Sequence, residues 1–167
     1  ISPGDYNTIH DWGENLSVSG NVWRTLTADE WNYLTRGRAR ASELLGSATV
    51  NNVHGYILLP DNWEAPTGVQ FNPGSNGWNN NVYSVEQMAM IEETGAVFLP
   101  ATGYRNGLSC YEVQTNGHYW SIEDSHWWYN YTAQYMQTYD AYSGRAIRLV
   151  QDEEILYTIT WNNYDGN

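Results

Sequence analysis

"GHYWSIEDSHWWYNYTAQYMQTYDAYSG", residues 117–144, holds three Trp and six Tyr, with no Lys, Arg or Pro. Aromatics in that number usually mark a core. The residues between them are Ser, Asn, Asp, Glu, His, Gln and Thr, which an interior accepts only when each is paired. Strand alternation sends every second residue inward, so Trp120, Tyr135 and Tyr139 fit as inward positions. "EDSHWWYNY" (123–131) is too polar and too consecutive to be all core. Tyr and Trp offer rigid contact area with few rotamers to freeze, and Ser and Asn adapt their hydrogen bonds, as in antibody paratopes. The segment therefore predicts a ligand face formed by Tyr119, His126, Trp127, Trp128, Tyr129, Tyr131, Tyr135, Tyr139 and Tyr142.

The whole chain repeats this preference. Of 167 residues, 9 are Trp and 14 Tyr but only 2 Phe, which favours positions with one apolar side and one wet side. The length suits one domain with a core. Seven basic residues against 19 acidic ones, net −12, argue against nucleic acid, whose recognition needs a basic stripe. The same balance opposes an anionic membrane surface, and no apolar run is long enough to span a bilayer.

Outward from the aromatic segment, two helices are predicted by their caps. In "TADEWNYLTRGRA" (27–39), Thr27 and Glu30 form a capping box, Trp31 and Leu34 face inward, and Gly37 ends the helix. In "SVEQMAMIEETG" (84–95), Ser84 and Gln87 make a second box, with Val85, Met88, Ala89 and Ile91 buried and Gly95 as the stop. "HGYILLPDNW" (54–63) and "GAVFLPATGYR" (95–105) read as strands halted by proline, separated by the Gly, Asn and Pro punctuation of 65–81. "GHYWSIE", "TAQYMQTYD" and "GRAIRLV" (144–150) follow as strands. Alternation in "EILYTITWNN" predicts a last strand before a D-G turn. The class is α+β.

Chemical motifs are sparse. Cys110 with His118 or His126 could form a thiol–imidazole pair, although a lone Cys is more often an inert small hydrophobe. His118, Glu123, Asp124 and His126 could ligate a metal, but their spacing fits no metal signature. No phosphate-binding or nucleophile-elbow motif occurs. No cofactor and no enzymatic activity are expected.

Six blocks in order carry a resemblance: "DWG" (11–13), "WRTLTADEWNYL" (23–34), "NNVHGYILLPDNW" (51–63), "GAVFLPATGYRNG" (95–107), "GHYWS" (117–121) and "GRAIRLV" (144–150). Together they resemble the paralogous C-type-lectin-like domains of Bacteroidetes and Fibrobacter surface proteins, related in fold to the formylglycine-generating enzymes. The resemblance implies two helices, a small mixed or antiparallel sheet and long loops, over a domain of residues 1–150. Residues 122–143, Glu123 among them, would line the exposed ligand face. The fold also serves the variable proteins of diversity-generating retroelements, where adenine-directed mutation turns Asn codons into Tyr, Ser, Asp, His or Thr. Asn106, Ser109, Tyr111, His118, Asp124, Ser125, His126, Tyr129, Asn130, Tyr131, Tyr139, Asp140 and Tyr142 match that profile.

The chain departs from the enzymes of this fold, which pair cysteines around copper, because it has a single Cys. It also lacks the E-P-N or Q-P-D tripeptide of calcium-dependent lectins. The resemblance thus implies a non-enzymatic, extracellular recognition domain, attached to a cell surface through further domains or carried on a phage virion. Its partner would be a protein or glycan on a host, microbial or phage-target surface, engaged through Trp127 and Trp128 as principal anchors. A calcium-independent glycan-binding module and a structural or adhesin module of a surface fibre or pilus are the alternatives. "YTITWNNYDG" (157–166) resembles the opening strand of a β-grasp surface repeat, so residues 151–167 are expected to be linker and the start of a following domain.

Overall fold

The computed structural model describes residues 11, 13, 17–18, 21–123, 125–138 and 143–151. Strand β1 (Ser17–Val18) pairs with β2 (Asn21–Thr25), which also pairs with β12 (Leu149–Gln151), so the two ends of the described chain meet in one antiparallel sheet. The Asp11 carboxylate is buried and accepts from the amides of Gly13 and Thr25 and from the Thr25 hydroxyl, which ties the "DWG" segment to β2.

Both predicted helix starts are present. Helix α1 (Ala28–Asn32) begins at Thr27, whose side chain accepts from the Glu30 amide while Glu30 returns the bond to the Thr27 amide. Arg24 grips the same carboxylate through both Nη atoms, at 2.7 and 2.6 Å, and holds it well below its ordinary pKa, at about 2. The chain continues as a π turn over Tyr33–Gly37, so the expected stop at Gly37 coincides with the end of helical structure, and a short 3-10 turn follows at Ala41–Glu43. Helix α2 (Val85–Glu92) carries the Ser84–Gln87 box and stops before Gly95, whose φ of +89° is the left-handed stop that glycine takes without strain. Its buried stripe is narrower than expected. Met88 and Ile91 are buried, whereas Val85 and Ala89 are exposed, because eight residues present only two turns to the sheet.

Between the helices lies a four-stranded sheet in the order β5 (Val82–Tyr83), β3 (Leu45–Val50), β4 (Val53–Leu58), β6 (Val97–Pro100). Strands β3 and β4 turn at Asn51 and Asn52, both with positive φ, a conformation Asn tolerates better than other residues with a side chain. Alternation splits the sheet between two cores. Ala48, Val50 and Ile57 face α2 with Met88 and Ile91, while Leu45, Tyr56 and Leu99 face α1 with Leu26 and Trp31. Each fully buried large side chain contributes about 1.5–3 kcal/mol.

The second core is closed by a three-stranded antiparallel sheet, β9 (Gly117–Trp120), β10 (Ser125–Tyr129) and β11 (Gln134–Thr138), with β10 in the centre. A separate hairpin, β7 (Tyr104–Asn106) and β8 (Ser109–Tyr111), precedes it. The α+β class is as expected. The expected strand over 155–161 and its D-G turn lie outside the described residues.

Candidate recognition face

The β9–β11 sheet is aromatic on both faces. Its register pairs Tyr119 with Trp127 and Trp127 with Met136, and these residues, with Tyr129, point into the core. Trp127 stacks on Trp31 at 5.2 Å between ring centroids with the planes 15° apart, and meets Tyr129 at 4.7 Å. The polar atoms of this aromatic layer are all paired. The Trp127 indole N–H donates to Gln134 Oε1 at 2.7 Å, and the Tyr119 and Tyr129 hydroxyls donate to the carbonyls of Pro100 and Leu99. Burial pushes both Tyr hydroxyls far above their ordinary pKa, so they remain neutral donors. Gly117 is required here, because a Cβ at that position would lie 2.1 Å from the Tyr129 ring.

The opposite face carries the other half of the alternation: His118, Trp120, His126, Trp128, Tyr135 and Gln137, joined in register as Trp120–His126–Gln137 and His118–Trp128–Tyr135. Trp128 and Tyr135 are in contact, with ring centroids 4.6 Å apart. His118 and His126 stack at 5.2 Å, and Trp120 meets His126 edge-on at 5.9 Å. Residues 144–146 run beside β7 and β9, through mutual bonds between Gly144 and Arg105 of β7 and bonds of Ala146 to His118 and Trp120 of β9. That path sets the Arg145 guanidinium 4.7 Å over the Trp120 ring, a cation–π contact. The hairpin adds Tyr104 and Tyr111, stacked at 5.4 Å, with Tyr104 edge-on to His118.

Both histidines are neutral at pH 7. Burial, reinforced by Arg145 and His118, depresses His126 to about 3. Burial also lowers His118, and the Glu112 carboxylate only partly opposes it. His118 Nε2 lies 2.9 Å from Glu112 Oε2, so the neutral ring carries its proton on Nε2 and donates it there.

The expected site residues divide by face. Asn106, Ser109 and Tyr111 are exposed on the hairpin, Trp128 is half-buried on the outer face, and Tyr131, 49% exposed, lies beyond the end of β10 against Trp78, which packs on the inner core. The expectation that Trp127 anchors a ligand is corrected: it is 0% exposed, as are Tyr129 and His126. Ser125 is buried against the Ser121 hydroxyl at 2.7 Å. Glu123 accepts from the Ala28 amide at the first turn of α1, and Asn130 accepts from Thr132 and Ala133 to shape the β10–β11 turn. His118 is 5% exposed and lies beneath the surface of the outer face. Asp124, Tyr139, Asp140 and Tyr142 lie outside the described residues.

Trp120, which alternation first suggests is inward, faces outward with Tyr135, and Gln137 and Arg145 join them. The phase was available in "QYMQT", where apolar Met136 must face the core and therefore turns Tyr135 and Gln137 away from it. Cys110 is exposed on β8 opposite Arg105, and His118 is committed to a carboxylate rather than a thiol. Among the described residues no group of three His, Cys, Asp or Glu side chains is placed to hold a metal, and no helix is long and apolar enough to cross a membrane. The chain matches no family model, no curated protein and no solved structure.

Proposed function

We propose that this chain is a non-enzymatic, extracellular recognition domain of C-type-lectin-like fold, whose ligand docks on the outer face of the β9–β11 sheet and the adjoining hairpin. One observation carries the reading. The sheet buries a complete aromatic layer on its inner side, so the second layer, with Trp128, Tyr135 and Tyr111 reaching solvent, is not needed for the core. Exposed aromatics among adaptable polar groups are the material of binding hot spots. The fold assignment is supported by two capped helices, both ahead of the β9–β11 sheet in the chain, and by the β2–β12 pairing that closes the domain.

The ligand is a protein or glycan on another surface, met by a face with both flat rings and hydrogen-bonding edges. The reading is tested by presenting the labelled chain to a glycan array and to a panel of microbial and host cells. A reproducible ligand is expected, and Tyr135→Ala should weaken its binding by about 2 kcal/mol. Wild-type affinity in Tyr135→Ala and in Tyr111→Ala would place the ligand elsewhere.

A further inference from the structure

A second candidate site lies on the other side of β11, apart from the aromatic face. All seven basic residues of this chain are Arg, and three of them, Arg36, Arg38 and Arg40, fall within five positions. They line a cleft of about 530 Å³ together with Ser42, Ser75 and Gln134, and no carboxylate is among its lining residues. A protein of net charge −12 has thus gathered nearly half its positive charge on one concavity of small-molecule size.

The three arginines have different duties. Arg38, with its side chain 4% exposed, donates to the Leu34 carbonyl at 2.8 Å and to Asp61 at 3.1 Å, and so holds the turn together. Arg36 donates through Nη2 to the Gln134 carbonyl on β11, which orients its guanidinium. Its Nε and Nη1 have no protein partner among the described residues. Arg40 uses Nε on Glu43 at 2.8 Å and likewise keeps both Nη groups uncommitted. Arg40 also has φ of +59°, a left-handed conformation strained for a residue with a side chain, and strain of that kind collects at ligand sites. The arginine fork matches the geometry of an oxyanion, which lysine does not. At the inner end, the Tyr56 and Ser75 hydroxyls contact each other, and Tyr56 also donates to the Asn130 carbonyl at 3.1 Å.

We propose that this cleft binds a small polyhydroxylated ligand, of about monosaccharide size, through one oxyanion group held between Arg36 and Arg40. The oxyanion is a carboxylate or a sulfate ester. Ser42 and Ser75 supply hydroxyls for the remainder of the ligand.

The test is a titration of the ¹⁵N-labelled chain with glucuronate, glucose 6-sulfate and glucose at constant ionic strength, followed on the Arg Nε–Hε signals. Saturable shifts at Arg36 and Arg40 are expected with at least one of the two anionic sugars and none with glucose, and the one that binds identifies the oxyanion. R36Q/R40Q should weaken that binding at least about tenfold while backbone signals away from the cleft stay in place. No saturable shift with either anionic sugar, an equal response to glucose, or undiminished affinity in R36Q/R40Q would overturn the proposal. The cleft shares no side chain with the aromatic face, so either site can fail without the other.

Discussion

His118 and His126 show how a polar residue becomes part of a packed layer. Their rings stack on each other between the edge-on rings of Tyr104 and Trp120, and burial outweighs the nearby Glu112 in setting the charge of His118. The consequence for stability has a definite sign. An unfolded His takes up a proton below about pH 6.5, but folded His126 does so only near pH 3. Between these values the unfolded chain binds more protons, so stability falls as the pH falls, by up to about 1.4 kcal/mol per pH unit for each such group. Glu30 adds the same sense at lower pH, because its pKa of about 2 makes its contribution present above the ordinary carboxylate range and lost below it. Urea unfolding at a series of pH values should show this decline, and His126→Gln should flatten it above pH ~5. An unchanged profile in that variant would remove His126 from the account.

At the scale of elements, the two helix starts were legible because a capping box is a local device, complete within four residues. Thr27→Ala and Ser84→Ala should each destabilise the fold by about 1 kcal/mol in denaturant unfolding. Strand β3 was not legible. "LGSATV" has no alternation to detect, because all six residues are buried between two layers, and its polar members are satisfied at a distance: Ser47 donates to the Gly77 carbonyl and Thr49 to that of Trp78, both at 2.8 Å. Strand β10 differs from its expectation for a different reason. Its polar residues point to an exposed ligand face, yet Ser125 is paired and His126 is stacked, so a central strand can carry them. Alternation on that strand has an evolutionary consequence as well. If the chain is diversified as its resemblance implies, amplicon sequencing across a natural population should find substitutions at 106, 109, 111 and 131. Positions 119, 127, 129 and 136 should stay fixed. Equal variation at both sets would separate the face from any diversification.

At the scale of the molecule, three layers account for where function can reside. Helix α2 and the four-stranded sheet enclose one core, and that sheet with α1 and the β9–β11 sheet encloses the other. Outside these two cores lie, among other described surfaces, the second face of the β9–β11 sheet and the Arg-lined cleft at its edge. Composition pointed to the first through its excess of Tyr and Trp, though not to which rings would be spent on the core. Net charge concealed the second, since a total of −12 says nothing of where seven arginines lie. On the proposed function, the neighbouring residues Trp127 and Trp128 serve folding and binding respectively. Unfolding free energy and ligand binding, measured together for Trp127→Ala and Trp128→Ala, separate the two roles. Trp127→Ala should lose about 3–5 kcal/mol of stability. Trp128→Ala should change stability by under about 1 kcal/mol and lose about 2 kcal/mol of binding. A Trp128→Ala variant that unfolds as readily as Trp127→Ala, or that binds as the parent does, would contradict this division of roles.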